Sequence, residues 1–178
     1  MTELRTDRLL LRPVRESDLD RMLEYRNLPE VTQWLLRTVV DPDAFREAWR
    51  AAGDNPDDHS VAVLLDGVVI GTVSFELTDG MGQPGMPTRT EAGLGYTFDP
   101  AYGGHGYATE AVRAVLARAF DELGVHRVTA GCFADNIASV RVLEKVGMRR
   151  EQHGVEDSWH AELGWVDGLT FAMLRSDR

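Results

Sequence analysis

The sequence predicts an α+β domain, a mostly antiparallel sheet flanked by helices, and three observations carry that expectation. Asp66-Gly67 joins two apolar runs, "SVAVLL" and "VVIGTVSFEL", and Asp-Gly between such runs is the strongest short-range hairpin signal. Behind the turn "GGHGYA", the apolar positions Val112, Val115, Leu116, Ala119, Phe120 and Leu123 recur at helical spacing, with Gly124 placed as a stop. Finally, 178 residues that are 43% hydrophobic and 27% charged match one folded domain, residues 1–178, and exclude a disordered or fibrous chain.

The elements follow in order. "RLLLRPV" (8–14) alternates and then meets Pro13, which suits a first strand. "ESDLDRMLEYRN" predicts a helix capped by Ser17, with Leu19, Met22 and Leu23 on its apolar face. A second helix is expected over Pro29 to Leu36 and a third from Asp41, where Pro42 suits a first turn; "GDNPDDH" ends it. After the hairpin, the Gly- and Pro-rich stretch Thr78 to Thr90 predicts a mobile loop before the strand "EAGLGYTF". The glycine turn and its helix come next, then a strand "HRVTAGCF", a short helix "NIASVRVLEKVG" and a last strand pair around "HAELGWVDGLTFAML".

Charge and special residues narrow the function. A net charge of −10 argues against nucleic acid and suits a cationic partner such as an amine. The N-terminus lacks a signal-peptide core and no apolar run approaches a membrane span, so a cytoplasmic location and no membrane partner are expected. The single cysteine, Cys132, has no internal disulfide partner and reads as a small core residue; no Cys/His cluster has metal spacing.

The chemistry concentrates at the glycine turn. Amides of Gly103 to Ala108 and of the first helical turn can converge where the helix dipole is positive, a candidate anion site for a phosphate or pyrophosphate, with a glycine turn that holds no ligand as the alternative for the motif alone. Neither the P-loop motif nor the Rossmann G-x-G-x-x-G spacing is present, which weighs against a nucleotide-binding protein. In the second segment, "ADNIASVRVLEKVGM", Asn136 and Ser139 share one helical face near an N-terminus, and Asn136 also reads as an N-cap.

With these two segments the chain resembles the GCN5-related N-acetyltransferase (GNAT) superfamily, in its RimJ/RimL-like branch of ribosomal-protein N-acetyltransferases. The resemblance runs from "LRTDRLLLRPVRESDLDRMLEYRNLPEVTQWL" through "GLGYTFDPAYGGHGYATEAV" and "DNIASVRVLEKVGM" to "WVDGLTFAML", where Asp167 matches a frequent acidic residue. It implies the GNAT α/β/α fold, with a sheet splayed at the cofactor site, and acetyl-CoA as acyl donor without a metal. The turn Gly103, Gly104, His105, Gly106, Tyr107 and Ala108 would bind the pyrophosphate, and the strand ending in Tyr96, Thr97 and Phe98 would pair with the pantetheine arm. The family pattern is Arg or Gln, two residues, Gly, one residue, Gly or Ala; here the first position is Gly103, so one side-chain contact is missing.

Ser139 resembles the serine near the cofactor sulfur and is expected to donate to the departing thiolate, with Asn136 as a cofactor-arm contact. An α-amine, with a pKa of about 7.7 to 8.0, needs little help to lose its proton, whereas a lysine at about 10.4 needs more. Relatives carry an acid just before the Gly-Tyr of the cofactor strand, where this chain has Gly93, so Glu91 and Glu162 stand as equal candidates for the base, with Tyr107 and His160 behind them. Tyr25, Trp34, Trp159 and Trp165 are the expected acceptor-pocket walls. The Thr78 to Thr90 loop is placed either to cover that pocket or to cross to a partner subunit in a homodimer. Two alternatives stay open: a non-catalytic acyl-CoA-binding module, and an acyltransferase using a longer donor such as succinyl-CoA.

Overall fold

The computed structural model describes residues 3–178. Eight strands form one sheet: β1 (Leu4–Arg5), β2 (Leu10–Pro13), β3 (Val61–Leu65), β4 (Val68–Thr78), β5 (Glu91–Phe98), β6 (Arg127–Phe133), β7 (Arg149–His160) and β8 (Gly164–Leu174). Their spatial order is β1-β2-β3-β4-β5-β6-β8-β7, and the β5–β6 pair is parallel within an otherwise antiparallel sheet. At the β3–β4 hairpin, Asp66 and Gly67 both take positive φ, 49° and 82°, as the sequence signal required.

The helices are α1 (Leu19–Arg26), α2 (Pro29–Thr32), α3 (Pro42–Asp54), α4 (Tyr107–Asp121) and α5 (Ile137–Lys145). The α4 stripe is buried as its spacing predicts: Val112, Val115, Leu116, Ala119 and Phe120 pack against the sheet through Val63, Phe75, Val128 and Phe171. Each large side chain in this layer contributes about 1.5–3 kcal/mol by leaving water. The other face carries a smaller cluster in which Leu19, Met22 and Tyr25 of α1 cover Ala62, Leu64 and Val69.

Among the described residues, two ion pairs with a buried carboxylate fix α1, beside the exposed Asp20's pair with Arg46 of α3. Arg12 on β2 makes a bidentate contact to Asp18 (2.6 and 2.8 Å), both side chains being buried, and Asp18 also accepts from the Arg15 amide. Arg21 on α1 reaches the buried Asp99, which also accepts from the Ala101 amide at 2.9 Å; this ties α1 to the loop that leads into the glycine turn.

Several boundaries depart from the sequence reading. Ser17 lies inside a 3-10 turn and makes no capping bond, while Asp18 precedes α1. The second helix stops at Thr32, so Trp34 to Leu36 are non-helical and Leu36 is exposed. The last strand pair begins at Arg149 rather than near His160, because β7 is a polar strand at the sheet edge that lacks an apolar period. Helix α3 caps as predicted, Asp41 accepting from the Asp43 and Ala44 amides, yet no residue of it is fully buried.

Candidate active site

The site begins with a change of pairing. β4 and β5 pair along all of Glu91 to Phe98, but β5 and β6 pair only over Glu91–Gly93 with Arg127–Thr129. From Leu94 and Ala130 onward the two strands separate, leaving main-chain donors and acceptors of β5 without a strand partner on that side. A cavity of roughly 910 Å³ opens in the gap, lined by residues 94–98 and 130–133 together with Ala108, Asn136 and Ser139. A second cavity of roughly 520 Å³ shares Trp49, Ser74, Gly95 and Gly131 with it and continues under α3.

At one mouth of the gap stands the glycine turn. Gly104 and Gly106 take φ of +78° and +81°, the left-handed region that side chains disfavour. The first intrahelical bond of α4 runs from the Glu110 amide to Gly106 O, 3.0 Å, so the amides of Gly104 to Thr109 have no helix carbonyl to serve, whereas the expected Gly103 amide is taken by Pro100 O at 2.9 Å and drops out of the set. These amides and the positive helix end suit an anion, and Ala108 of the turn lines the cavity.

Within the gap, Ser139 Oγ lies 2.7 Å from Tyr96 Oη, and that phenol also donates to Ser139 O at 3.1 Å. The phenol has one proton: given to Ser139 O, it leaves Ser139 Oγ donating to Tyr96 Oη, and given to Oγ, it frees the serine proton to turn into the cavity. Burial pushes the Tyr96 hydroxyl up to about 12, so it keeps its proton at neutral pH. Cys132 packs against the main core as expected and also lines the cavity, half-buried, and burial raises its thiol above the ordinary value. Asn136 uses its Oδ1 to cap α5, accepting from the Ser139 amide at 3.1 Å, and still lines the cavity. Cap and cavity-wall readings hold together.

The structure does not bring the expected bases to this place. Glu91 starts β5 and its carboxylate lies over Gly80, so that a Cβ there would meet Oε1 at 2.6 Å. Four residues of strand, about 13 Å, separate it from Gly95. Glu162 sits exposed in the β7–β8 turn, and neither carboxylate lines either of these two cavities. Tyr107 belongs to the turn, 4.5 Å beneath the Arg8 guanidinium. His160 is buried: its Nδ1 accepts from the Glu162 and Leu163 amides, its Nε2 donates to Gln33 O at 2.8 Å, and its ring meets Trp34 and Phe133 edge-on. It anchors the hairpin to the segment after α2.

Of the expected acceptor walls, Trp34 lines the cavity, and Tyr25 does so from the core, 1% exposed. Trp159 and Trp165 are corrected: they pair edge-on on the opposite face of the hairpin from His160, 62% and 60% exposed. No residue of Thr78 to Thr90 lines either cavity.

The carboxylates that do line the cavity, Glu30 and Asp157, escaped the sequence reading. Asp157 follows an irregularity in β7, where the register with β8 shifts between Gly154 and Ser158 and Glu156 takes φ +49°. Asp167 holds that bulge, accepting from the Glu156 amide at 2.9 Å and bonding His153 Nε2 at 2.5 Å, contacts that lower its own pKa in that order of weight. The bulge lays Asp157 across Gly154 and Gly168, where Ser158 donates to its Oδ1 at 2.9 Å.

A splayed β5–β6 pair with a glycine turn at its end is also where comparison with known proteins converges. The profile described as Acetyltransferase (GNAT) domain matches residues 8–149. The chain belongs to the GNAT acetyltransferase family. "Uncharacterized N-acetyltransferase YnaD" of Bacillus subtilis is 33% identical over 147 residues, covering 82% of each chain. Two solved structures share the fold at a TM-score of 0.84. RimL, a ribosomal L7/L12 alpha-N-protein acetyltransferase in complex with coenzyme A, is 17% identical and covers 97% of this chain and 98% of its own. Spermidine N-acetyltransferase from Vibrio cholerae, in complex with CoA and spermine, is 18% identical with the same coverage. The chain is therefore a GNAT-family N-acetyltransferase, and its mostly antiparallel α+β architecture is the GNAT fold. Among the described residues, no helix is long and apolar enough to cross a membrane.

Proposed function

We propose that this N-acetyltransferase moves the acetyl group of acetyl-CoA directly to the primary amine of a cationic small molecule. The donor fits what the residues offer: free amides at the glycine turn for the pyrophosphate, an unpaired β5 edge for an amide-bearing arm, and a gap that leads to Ser139. In the reaction the amine lone pair forms the new C–N bond, the C–S bond breaks, and the thiolate takes a proton. Ser139, backed by Tyr96, is the donor placed to supply or share that proton, and its dipole stabilises negative charge as it develops.

The acceptor assignment rests on the second cavity. It runs from the gap beneath Ala48, Trp49 and Ala52 of α3, over a floor where Gly93, Gly95 and Gly131 present no side chain, to Asp58 and Glu76. The second cavity is more open than the gap it continues, and its acidic lining is what points to a cationic acceptor. Asp58 and Glu76 take part in no ion pair among the described residues, and with Asp157 and Glu30 in the lining of the first cavity they favour a positive ligand. Glu30 and Asp157 are also the carboxylates placed to take the amine proton, directly or through water.

The test is thiol release from acetyl-CoA with a panel of alkyl diamines, polyamines, aminoglycosides and short peptides with free N-termini. Turnover with the diamines, polyamines or aminoglycosides supports the reading. Turnover with the peptides alone moves the acceptor to protein N-termini, and preference for succinyl-CoA moves the donor.

A further inference from the structure

The glycine turn lacks the basic side chain expected at its first position, Gly103, and no Lys or Arg occurs from 99 to 112. Glu110, in the first turn of α4, adds a negative charge beside the place where an anion would sit. A bare turn of this kind would bind a pyrophosphate poorly. The structure supplies a cation from elsewhere in the chain. Arg8, in the turn between β1 and β2, donates from Nε to Glu110 Oε2 at 2.7 Å and from Nη1 to His105 O at 3.0 Å, while its Nη2 stands 2.6 Å from Oε2.

The pair is built in. Glu110 Oε1 accepts from Thr6 Oγ1 at 2.6 Å and from the Arg8 amide at 3.1 Å, so both ends of the carboxylate are occupied. Burial pushes the Glu110 pKa up, but these donors outweigh it and the net shift is downward. The guanidinium lies 4.5 Å over the Tyr107 ring and close to Gly106, where a Cβ would come within 3.7 Å of Nη2. Even so, the Arg8 side chain is 44% exposed.

We infer that Arg8 is the positioning cation of the donor site. It cancels the charge of Glu110 and holds the His105 carbonyl turned away, so that the amides of the turn face the pyrophosphate of the donor. The inference rests on the donor-site reading above, and it adds the β1–β2 turn, outside the glycine motif, to the binding apparatus.

Calorimetric titration of CoA and dephospho-CoA tests it, with R8A, R8M, R8K, E110Q and R8A/E110Q, each checked for folding by thermal unfolding. R8M keeps the aliphatic stem over Tyr107 and serves if R8A does not fold. R8A and R8M are expected to weaken CoA at least tenfold and R8K by less, and R8A made on top of E110Q is expected to cost under threefold. Equal losses with dephospho-CoA place the effect at the pyrophosphate. The inference is overturned if folded R8A and R8M bind within twofold of wild type, if the loss is the same with or without E110Q, or if it vanishes with dephospho-CoA. A wild type that binds no CoA overturns the donor site itself, and a wild type that binds while R8A does not differ overturns only the role of Arg8.

Discussion

Tyr96 Oη and Ser139 Oγ stand 2.7 Å apart across the gap, joining the separated edge of β5 to the first turn of α5. Both residues line the cavity that the proposed donor arm would enter. Ser139→Ala is expected to lower kcat ten- to a hundredfold while CoA affinity holds within about threefold, the signature of a group acting on the reacting atoms. Tyr96→Phe is expected to lose less, since it removes only the backing hydroxyl. Steady-state kinetics beside a CoA titration separate the two effects.

Gly106→Val forces a β-branched residue into φ +81° at the turn. The strain costs about 1–2 kcal/mol, which the fold should tolerate. The expected result is a folded protein with CoA binding lost, read by calorimetry and circular dichroism.

The carboxylates give opposite expectations. Asp157 and Glu30 line the cavity, whereas Glu91 and Glu162 do not. Asp157→Asn should raise the acceptor KM or lower kcat/KM at least tenfold, and Glu162→Gln should remain within twofold of wild type. Initial rates against acceptor concentration decide between them.

The buried Arg12–Asp18 pair holds α1, and through it the acceptor side of the cleft. Asp18→Asn leaves Arg12 buried and unpaired, at a cost of about 3–5 kcal/mol in thermal or urea unfolding. Burial raises the Asp18 pKa, but the Arg12 side chain and the Arg15 amide outweigh it, so the folded value falls below the ordinary one. The pair therefore contributes fully above the unfolded pKa of about 3.9 and is lost as pH falls through the lower folded value. Wild type should lose stability over that acid range, and the Asn variant should lose less.

What was legible in the sequence follows from where the signals are local. The Asp66-Gly67 hairpin, the α4 stripe and the glycine turn are dictated by backbone preferences and a single period, and each was read from its own residues. Ser139 and Asn136 were legible because spacing along one helix fixes their common face. Asp157 was not, since it depends on a β7 bulge held by Asp167 from another strand, and no local pattern marks it. Trp159 and Trp165 misled for the same reason: an aromatic pair in a strand signals a buried face, but His160 takes the inward face here. Glu91 failed on distance, because β5 and β6 part only beyond Gly93.

Thermal unfolding of the wild type with excess acetyl-CoA, CoA or ATP tests the central claim most directly. A donor site at a hundred times its Kd stabilises the fold by about 2.7 kcal/mol. A rise in Tm with acetyl-CoA and CoA but not with ATP is the predicted result; no rise with either coenzyme form would contradict a donor site at the splayed β5–β6 pair.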